Sequence, residues 1–227
     1  MNLQQLQQWL NAHGAKLIED GRPGPATRDA IINIFTNAKA AAVSDDEIAR
    51  LASRLGGSVA QVKAVAAVES AGGGWDNAGR LKCLYERHYF WKRLRIKIPF
   101  LSDPTPGGYT VDADRDGIND SWEKVADAAL RSPVAAFESA SWGKFQIMGA
   151  WATKLGHANA VEFVWALSRS EAAHYAALER FIQVNGLTRA FQALSTNAET
   201  CRAFARGYNG PAYERGGYHN KLARAMR

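Results

Sequence analysis

The sequence predicts a mainly α protein with one small β excursion, preceded by a short helical N-terminal unit. Three observations support this. Apolar residues recur at helical spacing through most of the chain; residues 80–110 instead alternate and are then broken by prolines and glycines; and residues 3–35 form a self-contained helix, turn and helix pattern. At 227 residues and 47% hydrophobic composition the chain is long enough for one well-filled core, or for a core domain with an appendage.

In the N-terminal unit, Leu3, Leu6 and Leu10 line one helix and Ala30, Ile31, Ile34 and Phe35 line another, with turn residues from Glu19 to Pro25 between them. The alanine-rich stretch 36–43 reads as a linker or helix extension. Ser44 and Glu47 form a capping-box pattern, so the larger domain is expected to start at residue 44 and run to residue 227. Helices are expected around 45–54, 59–71, 121–131, 171–185 and 198–207. Between them Leu81, Cys83 and Tyr85 alternate with Lys82, Leu84 and Glu86, and Pro99, Pro104, Pro106 and Gly107-Gly108 exclude a long helix, which predicts short strands and loops.

Glu69 departs from the helical pattern. Val62, Val65, Ala66 and Glu69 fall at i, i+3, i+4 and i+7 on a helix that Ser58 and Gln61 open as a capping box and Gly72-Gly73-Gly74 closes, so a carboxylate stands where an apolar side chain belongs. In the last turn the negative end of the helix dipole and partial desolvation both disfavour the charged form and push the carboxyl pKa upward. Such a group donates a proton near neutral pH, as general-acid cleavage of a glycosidic bond requires. The competing reading is an end-of-helix glutamate with its head in water.

The net charge of +6 and pI near 9.4 favour anionic partners, among them acidic membrane surfaces and cell-wall polymers. The basic residues are scattered, and neither an arginine-rich run nor a zinc spacing supports nucleic acid. Cys83 and Cys201 lie far apart and read as buried free thiols, implying no cofactor. The N-terminus lacks the layout of a signal peptide and nothing approaches a membrane span, which predicts synthesis in the cytoplasm.

Three separated segments converge on one resemblance: Val65 to Gly73 around Glu69-Ser70; Ser139 to Gly149, with Ser141-Trp142-Gly143-Lys144-Phe145-Gln146; and Ala205 to Pro211, with Tyr208-Asn209-Gly210. They resemble the Glu-Ser, Gly-x-x-Gln and Tyr-Asn-Gly segments of the goose-type lysozyme and lytic transglycosylase superfamily. More closely, residues 44–227 resemble the N-acetylmuramidase domain of bacteriophage endolysins. That likeness includes Leu84 to Trp91 and the stretch from Tyr208 to Tyr218, Lys221 and Leu222. Leu6 to Asn11, Asp20-Gly21, Gly24-Pro25, Thr27-Arg28 and Ala30 are similar to a peptidoglycan-binding repeat. Residues 1–40 are therefore expected to be a small wall-binding module, or alternatively a helical hairpin packed on the main domain.

The resemblance implies a lysozyme-like helical domain that cuts the β-1,4 bond between N-acetylmuramic acid and N-acetylglucosamine in peptidoglycan, with Glu69 as catalytic acid. A lytic transglycosylase using the same acid, or a wall-binding phage protein without activity, are the alternatives. It implies a monomer made in the host bacterial cytoplasm that acts on the wall after release, with peripheral contact to the anionic envelope. Gln146 and Tyr208 would lie in a saccharide groove, with Ser141 and Asn209 beside them in the same motifs. Trp75 and Trp142 either stack on sugars or belong to the core.

A second carboxylate is less clear. A retaining enzyme needs a nucleophile roughly 5 Å from the acid and an inverting one a base about 6.5–9.5 Å away. Glu86 is the first candidate by position and Asp76 is nearer in sequence; the goose-type resemblance does not require either. Catalysis by this route needs no cofactor. Residues 112–123, however, resemble a structural calcium loop: Asp112, Asp114, Asp116, Asp120 and Glu123 offer oxygen ligands, Ile118 a backbone carbonyl, and Gly117 the sharp turn. A plain acidic turn is the alternative.

Overall fold

The computed structural model describes residues 1–69, 73–109, 111–113, 115 and 117–227. In chain order the elements begin with α1 (Leu3–Ala12), α2 (Pro25–Phe35), α3 (Asp45–Arg54), α4 (Val59–Glu69), β1 (Cys83–Tyr85) and α5 (Arg87–Leu94). Next come α6 (Ser121–Ala129), α7 (Pro133–Glu138), β2 (Ala140–Trp142), β3 (Ile147–Met148) and a 3₁₀ turn at Gly149–Trp151. The remainder is helical: α8 (Ala160–Arg169), α9 (Glu171–Val184), α10 (Thr188–Gln192), α11 (Ala198–Asn209) and α12 (Tyr218–Ala225). This is the mainly α plan with one small sheet that the sequence predicts. Among the described residues no helix is long and apolar enough to cross a membrane.

The chain forms two compact units, each assembled from two separated stretches: Met1–Ala40 with Trp75–Arg169, and Ala41–Gly74 with Ser170–Arg227. The division therefore differs from the expected boundary between 1–40 and 44–227. In the first unit, Asn2 and Gln5 cap α1 reciprocally, and Pro25 opens α2 at a position where its missing N–H is no loss. The Gln7 side chain ties the intervening turn to α1, accepting from the Gly21 N–H at 2.7 Å and donating to Thr27 Oγ1 at 3.2 Å. Two helices with so little apolar surface cannot close a core alone. Leu6, Leu10, Ile31 and Phe35 are fully buried, and the Phe35 ring lies 5.1 Å from Phe137 and 5.6 Å from Trp122. Residues 1–40 thus share the aromatic core of α6, α7 and α8.

The sheet of this unit has the order β1-β2-β3, antiparallel throughout, with Leu84 opposite Ser141 and Ser141 opposite Met148. Where the sequence predicts only strands and loops after residue 80, β1 leads directly into α5. Phe90 is the fully buried anchor of that helix, and Arg95 stops it in the left-handed conformation. A single buried residue leaves no periodic stripe to read.

In the second unit, α3 carries the Ser44/Glu47 capping box and α4 the Ser58/Gln61 box, both as the spacing predicts. Gln61 also donates to the carbonyls of Gln192 and Leu194 at 2.8 and 2.9 Å, which fixes α4 to the end of α10. Arg54 grips Glu179 with two hydrogen bonds of 2.8 and 2.7 Å, joining α3 to α9 in the bidentate geometry that suits a guanidinium. Val62, Val65 and Ala66 are buried along α4. Cys201 is a buried free thiol in this unit, whereas Cys83, in the first, is only half-buried.

Candidate active site

Glu69 is the last described residue of α4, on the same face as Val62, Val65 and Ala66, and is half-buried. Helix α12 packs along α4, and its first residue, Tyr218, donates its phenolic hydrogen to Glu69 Oε1. Gly217, in the left-handed conformation at the N-cap, turns the chain so that Tyr218 can begin the helix. The Tyr218 ring stacks at 6.4 Å on Tyr208, which in turn stacks at 5.3 Å on Phe204 and meets the edge of Phe181 at 5.3 Å. The carboxyl therefore ends against an aromatic stack.

Burial pushes the Glu69 pKa above the ordinary carboxylate value, and the Tyr218 hydrogen bond, the smaller influence, pulls it back. Burial and the neighbouring Glu69 carboxylate push both phenols up, Tyr218 and Tyr208 alike, so each remains a neutral donor. A protonated acid beside neutral hydroxyls can deliver a proton to an ether oxygen without an ion pair having to break first. Tyr218 is the site residue that sequence reasoning missed. It stands in the C-terminal run that carries the resemblance, but nothing local assigns it a partner 149 residues away.

Asn209 ends α11, next to Tyr208, and is exposed. Gln146 and Ser141 belong to the first unit. Gln146 sits on the β2–β3 turn with φ of 47°, an uncommon conformation for a residue with a side chain, and is exposed. Its amide is held at both ends: Ser141 Oγ donates to Oε1 at 2.8 Å, and Nε2 donates to the Gly143 carbonyl at 2.9 Å. The amide keeps one N–H and further lone-pair capacity for a ligand. It borders a cavity of about 320 Å³ whose walls include Cys83, Leu84 and Ser121.

Trp142 is a correction. It is 1% exposed, stacks on Phe137 at 5.6 Å, and donates its indole N–H to the Phe137 carbonyl at 2.9 Å, so no sugar reaches it. Trp75 is half-buried and its backbone bridges to Leu81.

Of the candidate second carboxylates, Asp76 accepts from the Arg80 guanidinium at 2.9 Å. Glu86 follows β1 as the N-cap of α5; its Oε2 accepts the Tyr109 hydroxyl at 2.8 Å and lies 3.2 Å from His88 Nδ1. The adjacent Arg87 side chain turns to the Thr105 carbonyl at 2.8 Å.

The expected calcium loop is described only in part, since Asp114 and Asp116 lie outside the described residues. Glu123, expected to close it, is bound to Arg80 at 3.0 Å. Asp120 accepts from the Ala113 N–H at 3.2 Å, and Asp112 from the Gly117 N–H at 3.2 Å. Backbone N–H groups and a guanidinium thus meet one oxygen each of Asp112 and Glu123, and Ile118 is half-buried. Among the described residues no group of three or more His, Cys, Asp or Glu side chains is placed to hold a metal.

Comparison with known proteins agrees with the fold. The family model described as N-acetylmuramidase matches residues 58–227. The crystal structure of the Burkholderia AP3 phage endolysin is similar over 99% of this chain and 92% of that chain, with a TM-score of 0.71 and 32% sequence identity. No curated protein matches the chain at a significant level. The likeness to the endolysin extends through the N-terminal residues that the family model leaves unmatched. By family and fold, the chain belongs to the N-acetylmuramidases, glycosidases that act on peptidoglycan.

Proposed function

We propose that Glu69 is the general acid of this glycosidase and that the bond cut is the β-1,4 linkage between N-acetylmuramic acid and N-acetylglucosamine. The observation that carries the reading is the half-buried Glu69 carboxyl, its pKa raised by desolvation, against the Tyr218 hydroxyl. The Glu69 proton passes to the leaving glycosidic oxygen as the bond to the anomeric carbon breaks. Water attacks that carbon and releases a proton to solvent, from which the Glu69 carboxylate is reprotonated, leaving a reducing end. Tyr218 holds the carboxyl in orientation. Tyr208 and Asn209 from α11, and Ser141, Gln146 and Trp75 from the first unit, are assigned to sugar binding. Glu86 is assigned no obligatory step, since Tyr109 and His88 already occupy its carboxylate.

The protein would act on the wall of the host of a phage, as a monomer and without a cofactor, its net charge of +6 favouring an anionic envelope. Residues 1–40 would add contact with the wall in addition to their share of the core.

Mass spectrometry of the fragments released from purified peptidoglycan tests the chemistry. Muropeptides with reducing N-acetylmuramic acid ends are expected, and their release should be lost in Glu69→Gln. Anhydro ends would instead mean that the muramic acid's own hydroxyl attacks, and reducing N-acetylglucosamine ends would place the cut at the other linkage.

A further inference from the structure

Beyond α5 the chain builds a tight turn with no part in the acid site. Ile98 and Ser102 exchange backbone hydrogen bonds of 3.0 and 2.8 Å, and the Leu101 N–H donates to the Ile98 carbonyl at 3.1 Å, so Pro99, Phe100 and Leu101 form the tip. Two side chains pin it: Tyr85 donates its hydroxyl to the Leu101 carbonyl at 2.8 Å, and Ser102 donates to the Ile96 carbonyl. Phe100 has φ of 63°, a conformation disfavoured for an aromatic residue, yet its side chain is 76% exposed and that of Ile96 is 59% exposed. A turn fixed this firmly, with its largest apolar groups outward, gains nothing from them in its own core.

The charge along this stretch of sequence has one sign. Lys92, Arg93, Arg95 and Lys97 fall within the stretch from residue 92 to residue 101, which contains no Asp or Glu. Arg93 reaches Glu138 at 2.8 Å, and Lys97 lies 3.9 Å from Asp103. Lys92 and Arg95 lie over the rings of Tyr89 and Trp91, each at 4.7 Å. We propose that this turn is a membrane-docking surface: Phe100 and Ile96 enter the headgroup boundary of an anionic phospholipid bilayer, while Lys92, Arg95 and Lys97 meet the lipid phosphates. A small apolar tip flanked by cations with flexible stems matches the two attractions that such a boundary offers. A protein partner would need a contact of about 800 Å² per side, far more than two side chains provide.

Flotation of the full chain with vesicles provides the test. Binding is expected to phosphatidylethanolamine vesicles containing phosphatidylglycerol, to weaken as salt rises, and to be absent with phosphatidylcholine alone. Phe100→Asp should lower the bound fraction by about tenfold or more, given the apolar area withdrawn and the charge introduced. Arg95→Glu should lower it less. Both should leave turnover on soluble peptidoglycan fragments unchanged. Equal flotation of Phe100→Asp and wild type, or equal binding to the two vesicle types, overturns the proposal. So does sedimentation showing that Phe100→Asp abolishes a self-association of the wild type, or loss of binding to purified peptidoglycan with vesicle binding intact.

Discussion

Two glutamates at opposite ends of their helices show how the same side chain is given different work. Glu69 closes α4, where the negative end of the helix dipole and burial both oppose a charge, and its hydrogen bond comes from a neutral phenol. Glu86 opens α5, at the positive end, with Tyr109 donating to it and His88 beside it. The first environment favours the protonated form over the charged one. The second suits an anion that organises its neighbours. What separates the two carboxylates is what surrounds each group, and the surroundings of Glu69 are aromatic.

The largest effect expected is from Glu69→Gln, which keeps the shape but removes the acidic proton: muramidase turnover should fall by roughly a hundredfold to ten-thousandfold. Retention of more than about a tenth of wild-type turnover in the folded variant would end the assignment. The same change should raise the melting temperature at neutral pH. Because the folded-state pKa of Glu69 is raised, its contribution to stability is complete below the ordinary carboxylate pKa and is lost as pH climbs through the raised value. Above the ordinary carboxylate pKa the wild type therefore carries a penalty that the amide does not.

Phe35→Ala tests whether residues 1–40 can be separated from the rest of the first unit. Removing a fully buried ring that touches Trp122 and Phe137 should lower stability by about 3–5 kcal/mol in denaturant unfolding. A loss under ~1 kcal/mol would mean that residues 1–40 are dispensable to the core. Tyr218→Phe should reduce turnover by roughly tenfold through loss of orientation. It should also move the alkaline limb of the pH–rate profile upward, since the hydrogen bond it deletes is the one that lowers the Glu69 pKa. A limb that stays put or moves down would deny Tyr218 that influence. Glu86→Gln should leave turnover within about threefold of wild type, a difference below ~1 kcal/mol. A fall approaching that of Glu69→Gln would make Glu86 the group that activates water and erase the contrast.

Short-range signals were legible in the sequence. The capping boxes of α3 and α4 span three residues, and both hydrogen-bond as read. The inward placement of Glu69 followed from its spacing with Val62, Val65 and Ala66. Long-range relations were not legible. Trp142 and Gln146 share one motif, yet β2 is buried along its whole length and the turn that follows exposes Gln146. Helices α5, α7 and α10 are short and carry no repeated stripe, so periodicity passes over them. The ion pair of Glu123 joins residues 43 positions apart, so a spacing that fits calcium gave no sign that Arg80 would take its last ligand.

The separation between Glu69 and Tyr218 also has a meaning in time. The unit that holds the acid is completed by the stretch beginning at Ser170, and the hydroxyl that orients Glu69 is 149 residues further along the chain. At elongation rates of roughly 5–20 residues per second, a ribosome takes about 7–30 s to cover that distance. Throughout that interval the nascent chain carries Glu69 without its Tyr218 partner, so on the proposed assignment a fragment released before residue 218 lacks the hydroxyl that contacts the acid.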